Sequence, residues 1–362
     1  MASKNPYTIS FGKIPTQFIS RSSIIDSITD ALDSEHPDEQ AFKLTGIRGT
    51  GKTVTLTAIE RYFRERDDWI VIGVRPDAEI MTDIVSNLYS AVPALTKFID
   101  ANLNLSAFGI GLNLSKKSPA TSMDYVLKTL LKELSKNDKR LLITIDEARK
   151  TKGIIDFIQE FQILIREEFP INLVVAGLYE DIESIENTDG LTFFLRATKF
   201  EMTPLNITYI RSDYQNTLGV SYDDAEKMAF ITKGYAFAYQ VLGKYVWDSG
   251  KKALTKEVIM KFDEVLADKV YKKIWSELAP KDKYFLSFIV KKDKMEASEL
   301  LELTKQNHSS WSIPRARLKE KGIIDVETRG VVSIKLPRFK EFVDEQIALE
   351  GELQKSMKKA GI

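Results

Sequence analysis

Eight consecutive residues, Gly46-Ile47-Arg48-Gly49-Thr50-Gly51-Lys52-Thr53, narrow the folds open to this chain more than any other stretch. They fit the spacing G-x-x-x-x-G-K-[ST], which works only between a strand and a helix. The short apolar run before Gly46 and the amphipathic TVTLTAIERYFRERDD after Lys52 supply both neighbours. Glycines let backbone N–H groups curl around phosphate oxygens with no Cβ in the way. The helix start aims its positive end at the anion. Lys52 would reach β- and γ-phosphates, and the Thr53 hydroxyl would sit on Mg²⁺. Gly46, Arg48, Gly49, Thr50, Gly51, Lys52, Thr53 and Val54 are therefore the expected ATP/ADP-binding residues of this turn. Arg48 could touch phosphate or a neighbouring carboxylate, or stay solvated.

Further strands are expected at 69–76, 141–148, 171–178 and 197–202, with helical patterns at about 122–136 and 154–168 between them. Near-continuous apolar strands alternating with helices imply a mostly parallel sheet covered on both faces. Strand 141–148 ends in Asp146 and Glu147. Strand C-termini share one sheet edge, so Asp146 belongs beside the phosphate turn, where it can hold the Mg²⁺ shell. Glu147 can orient or activate an attacking water, with Lys52 as its catalytic companion at the phosphates. Residues 102–118 alternate Leu with Asn or Ser about a Gly-containing turn, which reads as an inserted β-hairpin.

Composition removes other chemistries. The 362 residues include no cysteine and only two histidines, His36 and His308, so thiolate metal sites, disulfides and Cys nucleophiles are excluded. Lys plus Arg and Asp plus Glu are each 52, so any basic face must be local. No apolar stretch suits a signal peptide or a membrane span, and the expectation is a cytoplasmic protein with no membrane partner.

After Pro204 the sequence turns helical. Three helices close at Gly219, Gly234 and Gly250, and a longer one spans 255–278. From Pro280 onwards, three helices and a two-stranded hairpin follow, the order of a winged helix-turn-helix. Its candidate recognition helix, about 309–321, carries Arg315, Arg317, Lys319 and Lys321 against Glu320, with Pro314 expected in the first turn. Ser310, Arg315, Arg317, Lys319 and, at the hairpin tip, Arg329 are the candidate contacts to double-stranded DNA. Winged helices also dock proteins, and a charged helix face is often only solvated. Trp311 and Ile313 are expected in the core, as are Tyr235, Phe237, Tyr239, Tyr245 and Trp247.

The two phosphate-site elements resemble the Walker A and Walker B motifs of AAA+ and STAND-class ATPases. FISR (18–21), GIRGTGKT, LLITIDEA, LVVAGL, FFLRATKFEMTPL, TKGYAFAYQVLGKYVWD and SSWSIPRARLKEKGIID follow in the family's order over nearly the whole chain. The order of modules is similar to that of prokaryotic ATP-binding proteins related to archaeal origin-recognition initiator ATPases. The resemblance implies an α/β fold with a three-layer P-loop core over 1–203, a helical lid over 204–278 and a winged-helix domain over 279–362. It implies that Arg21 lies in the segment set against the adenine. It also implies that Arg196 is a catalytic arginine sensing the γ-phosphate or reaching a neighbour's nucleotide; a helix-end arginine capping carbonyls is the alternative. Two positions depart from the pattern. Gly177, Leu178 and Tyr179 stand where a polar sensor is usual, and Gly234-Tyr235-Ala236 replaces Gly-Tyr-Pro with no arginine in the helix that follows. A slow ATPase switch acting on or near DNA is the leading expectation. The alternative is a STAND-like signalling or scaffold ATPase whose winged helix mediates protein contacts, with itself or another protein, and not DNA binding.

Overall fold

The computed structural model describes residues 4–10, 15–35, 37–76, 79–91 and 123–360, with residue 91 and the last ten by backbone alone. The hairpin expected at about 102–118 lies outside the described residues. The chain divides into two compact units, one of residues 20–46 and 52–202, the other of residues 1–19, 47–51 and 203–362.

The first unit is built on five parallel strands: β1 (Ala41–Thr45), β2 (Trp69–Val74), β3 (Arg140–Ile145), β4 (Ile171–Gly177) and β5 (Thr198–Glu201), in spatial order β2-β3-β4-β1-β5. The helices are α1 (Ser22–Asp33), α2 (Lys52–Arg64), α3 (Ile80–Ala91), α4 (Met123–Lys136), α5 (Lys152–Arg166), α6 (Tyr179–Glu186) and α7 (Thr192–Arg196). Strand parity explains the apolar runs. Leu141, Ile143, Ile145, Leu173 and Val175 pack with α3 to α7, while Leu142, Val174 and Ala176 join Ile28, Leu32, Leu56 and Ile59 of α1 and α2. Both faces are thus buried, as parallel sheets require. β4 lies between β1 and β3, so Gly46, just after β1, and the acidic end of β3 emerge at one edge.

The second unit continues with α8 (Ile207–Leu218), α9 (Tyr222–Thr232), α10 (Ala236–Ser249) and α11 (Lys256–Leu266). Side chains of Asn206, Ser221 and Thr255 accept from first-turn amides and so set where three of these helices begin. Gly219 and Gly250 close two of them in the left-handed region, and Gly234 follows the left-handed Lys233. The long helix expected at 255–278 is instead interrupted by a π-helical turn at Ala267–Tyr271, then resumes as α12 (Lys272–Ser276). The amino-terminal segment packs here. Tyr7 is buried, and its hydroxyl and that of Tyr239 both donate to Asp213 Oδ2, at 2.6 and 2.7 Å. Gly243 leaves the room that the Tyr7 ring fills.

The chain ends with α13 (Pro280–Ile289), β6 (Lys294–Glu296), α14 (Ala297–Thr304), α15 (His308–Glu320), β7 (Ile324–Asp325), β8 (Val331–Ile334) and α16 (Phe339–Ala360). The three strands form an antiparallel sheet in the order β6-β8-β7. Pro314 falls inside α15 and not in its first turn. The Asn307 side chain caps the helix from Ser310 N at 2.9 Å, which starts it earlier than the basic stretch suggests. Trp311 is buried, but Ile313 is 62% exposed, contrary to the expectation for it. Among the described residues no helix is long and apolar enough to cross a membrane.

Candidate functional site

Within the first unit the structure brings Gly46, Lys52, Thr53 and Asp146 together. Lys52, at the first position of α2, is buried and donates from Nζ to the Gly46 carbonyl at 2.7 Å. The Thr53 hydroxyl donates to Asp146 Oδ2 at 2.7 Å. A hydroxyl and a carboxylate side by side form a hard-oxygen pair. That donor set fits Mg²⁺, which takes few protein ligands and keeps waters and phosphate oxygens around it. Among the described residues no group of three or more His, Cys, Asp or Glu makes an all-protein metal cage.

Glu147 follows at the strand end, exposed and with φ 53°, a left-handed conformation unusual for glutamate. Its amide donates to Asp146 Oδ1 at 2.9 Å, and the next amide, of Ala148, donates to the Ala176 carbonyl at 2.9 Å. These two bonds hold the turn.

Gly177 ends β4 with no room for a side chain: a Cβ there would lie 2.9 Å from both the Ala148 carbonyl and Ile182 Cδ1. This is the physical reason that no polar side chain stands at that position. Polar groups appear just beyond it. The Tyr179 hydroxyl donates to Glu201 Oε1 at 2.6 Å. Burial lowers the pKa of the half-buried Arg21 guanidinium from its ordinary high value, and the Tyr179 hydroxyl nearby opposes that shift. Burial and the bond to Glu201 push the Tyr179 phenol above its ordinary range. The contact of Tyr179 with Glu201 was not legible in the sequence, because it depends on β5 pairing with β1 at the register Thr45↔Glu201.

Arg196 is not brought to the turn. It ends α7, is exposed, and precedes the N-terminal end of β5, where Thr198 pairs with Phe42. In a parallel sheet that is the edge opposite Gly46 and Asp146, a strand length of about 13 Å away. The reading in which Arg196 senses the phosphate bound by its own chain does not fit this placement. Beneath α7 lies a buried charge cluster that the sequence did not disclose. Lys43 of β1 donates to Glu186 Oε1 at 2.7 Å and to the Phe194 carbonyl at 2.6 Å, and Lys199 donates to Glu186 Oε2 at 2.7 Å.

In the second unit, the loop residues 47–51 pack with the C-terminal helices. The Tyr235 hydroxyl donates to the Arg48 carbonyl, and the Phe237 amide donates to the Gly49 carbonyl at 2.9 Å. Gly49 (φ 76°) lies so close to the Tyr235 ring that a Cβ would come within 2.8 Å of Cζ. Ile47 packs against Gly322, just past the end of α15. The Arg48 side chain is exposed, and Val54 is half-buried on α2.

Of the candidate DNA contacts, Arg315, Lys319 and Arg329 are exposed and Ser310 is half-buried. Arg317 is committed elsewhere. Its Nε donates to both oxygens of Asp282, at 3.2 and 3.0 Å, and Asp282 is buried.

The fold can be compared with known structures. The chain is similar to the ORC2 protein of Aeropyrum pernix in its ADPNP–ADP complexes, with 14% identity, 95% of this chain and 98% of that one covered, and a TM-score of 0.58. The ADP form of the same protein gives 14% identity, coverages of 94% and 97%, and a TM-score of 0.50. Cdc6p from Pyrobaculum aerophilum gives 17% identity, coverages of 94% and 97%, and a TM-score of 0.48. The fold is that of the Aeropyrum pernix ORC2 protein, in keeping with the resemblance read from the motifs. A family model described as a domain of unknown function (DUF8462) matches residues 268–343. No curated protein matches the chain.

Proposed function

We propose that this chain binds Mg·ATP at the turn 46–53 and hydrolyses it slowly, as a switch ATPase acting on or near DNA. The observation that carries the reading is the 2.7 Å contact of Thr53, in the first turn of α2, with Asp146, just past the end of β3. In this reading Gly46, Gly49, Thr50 and Gly51 cradle phosphate through their backbone, with Arg48 and Val54 flanking them. Lys52 exchanges its bond to the Gly46 carbonyl for a phosphate oxygen, and Arg21 lies on the adenine side. Thr53 and Asp146 hold Mg²⁺, which when bound neutralises charge on the phosphates. Glu147 orients the water. Slow turnover follows from the packed end of β4 and from the distance of Arg196, which would serve a nucleotide held by a second copy. The module boundaries proposed are 1–203 for the core, 204–278 for the lid and 279–362 for the winged helix. ATP titration of the wild type and of Lys52→Ala tests the reading. Affinity in the wild type should fall about 100-fold or more in the variant, which removes a charge-assisted phosphate bond from a buried group. Glu147→Gln should retain ATP and lose phosphate release. Equal affinity in wild type and Lys52→Ala would sink the proposal.

A second reading has its own support. Arg317 is bound to Asp282, and Ile313 exposes an apolar side chain on the same helix. Both suit a signalling or scaffold ATPase whose last module contacts protein. DNA binding that weakens with salt and depends on Arg315 and Lys319 favours the first reading. No binding at low salt favours the second.

A further inference from the structure

We infer that Tyr235 is a positioning residue for the phosphate turn, an inference that rests on the ATP-binding reading above. A trans peptide is planar, so its C=O and the next residue's N–H point in opposite directions. A donor that fixes a carbonyl therefore also fixes an amide on the other side. The Tyr235 hydroxyl holds the Arg48 carbonyl, which turns the Gly49 N–H away from Tyr235. The Phe237 amide holds the Gly49 carbonyl at 2.9 Å, which turns the Thr50 N–H away from the start of α10. Two successive amides are thus aimed away from α10 without any side chain of the loop itself.

The surroundings are built for this contact. Tyr235 is buried, and burial raises its phenol above the ordinary value, so the hydroxyl stays a donor through the physiological range. Gly49 at φ 76° admits the ring where any other residue would meet it, and Ala236 lies 3.7 Å from where a Cβ on Gly51 would be. Helix α10 carries no arginine to reach phosphate directly. Its first residues act on the loop's carbonyls instead, so its grip on the anion is indirect. Ordering the amides before the ligand arrives reduces the entropy lost on binding.

Tyr235→Phe removes only the hydroxyl and keeps the ring against Gly49. In the nucleotide-free full-length chain, amide hydrogen exchange of a peptide covering 46–52 should quicken several-fold, while exchange in 140–146 stays unchanged. ATP affinity by calorimetry should fall about 5–20-fold, the range for a lost bond that leaves a carbonyl unpaired. The nucleotide-free unfolding midpoint should move little. Unchanged loop exchange overturns the inference whatever the affinity does. Faster exchange with unchanged ATP affinity overturns it too, because the held amides would then not serve phosphate. If the wild type binds no ATP, the proposed function falls and this role falls with it. If the wild type binds ATP and the variant matches it in both measurements, only this inference fails.

Discussion

Lys43 shows how a single residue can carry an energetic role without any chemistry at the candidate site. It lies on β1 with no exposed surface, yet its ammonium is matched by Glu186 and by the carbonyls that end α7. Burial lowers its pKa and the bond to Glu186 opposes that shift. Removing one partner of a buried pair leaves the other uncompensated, typically at about 3–5 kcal/mol. Lys199 still pairs with Glu186, so Lys43→Met should cost about 3 kcal/mol, at the lower end, in urea unfolding. The pair variant Lys43→Met with Glu186→Gln should recover much of this loss. If the single variant unfolds at the wild-type midpoint, the pair is not a structural tie.

Among the elements, α10 works under the tightest steric limits. Gly243 in its middle faces the Tyr7 ring, which a Cβ would approach to 2.7 Å. Alanine is the better helix former by about 1 kcal/mol, so propensity alone would have Gly243→Ala stabilise the protein. Overpacking against a buried aromatic costs about 1–3 kcal/mol and should win. A lowered thermal midpoint checks this; a raised one would mean that the amino-terminal segment moves aside freely. The same helix start was read from sequence as a place of packing aromatics. That holds for Tyr235 and Tyr239, which are buried, but packing alone does not describe Tyr235, whose hydroxyl reaches a loop nearly two hundred positions away.

For the molecule as a whole, charge balance matters. With 52 basic and 52 acidic residues there is no general attraction for a polyanion, so the proposed DNA affinity requires a local basic face, for which α15 and the β7–β8 turn are the candidates. Replacing Arg315 and Lys319 with Ala should lower the slope of log affinity against log salt by about 2. Replacing Arg317 should instead lower stability, because it neutralises the buried Asp282. A slope change on Arg317→Ala equal to that of Arg315→Ala would contradict this division.

The amino-acid sequence by itself determined the local features: the glycine turn and its lysine, the strands apolar on both faces, the acidic strand end, and the helix ends at Gly219 and Gly250. Each depends on residues within one or two turns of chain, so spacing alone discloses it. Strand order, the register that carries Arg196 to the far edge, the packed end of β4, the Lys43 cluster and the hold of Tyr235 on the loop were decided only in the tertiary structure. Those depend on which surfaces meet across long separations in sequence, and the meeting is set by burying apolar area over the whole core, a sum that no short motif contains.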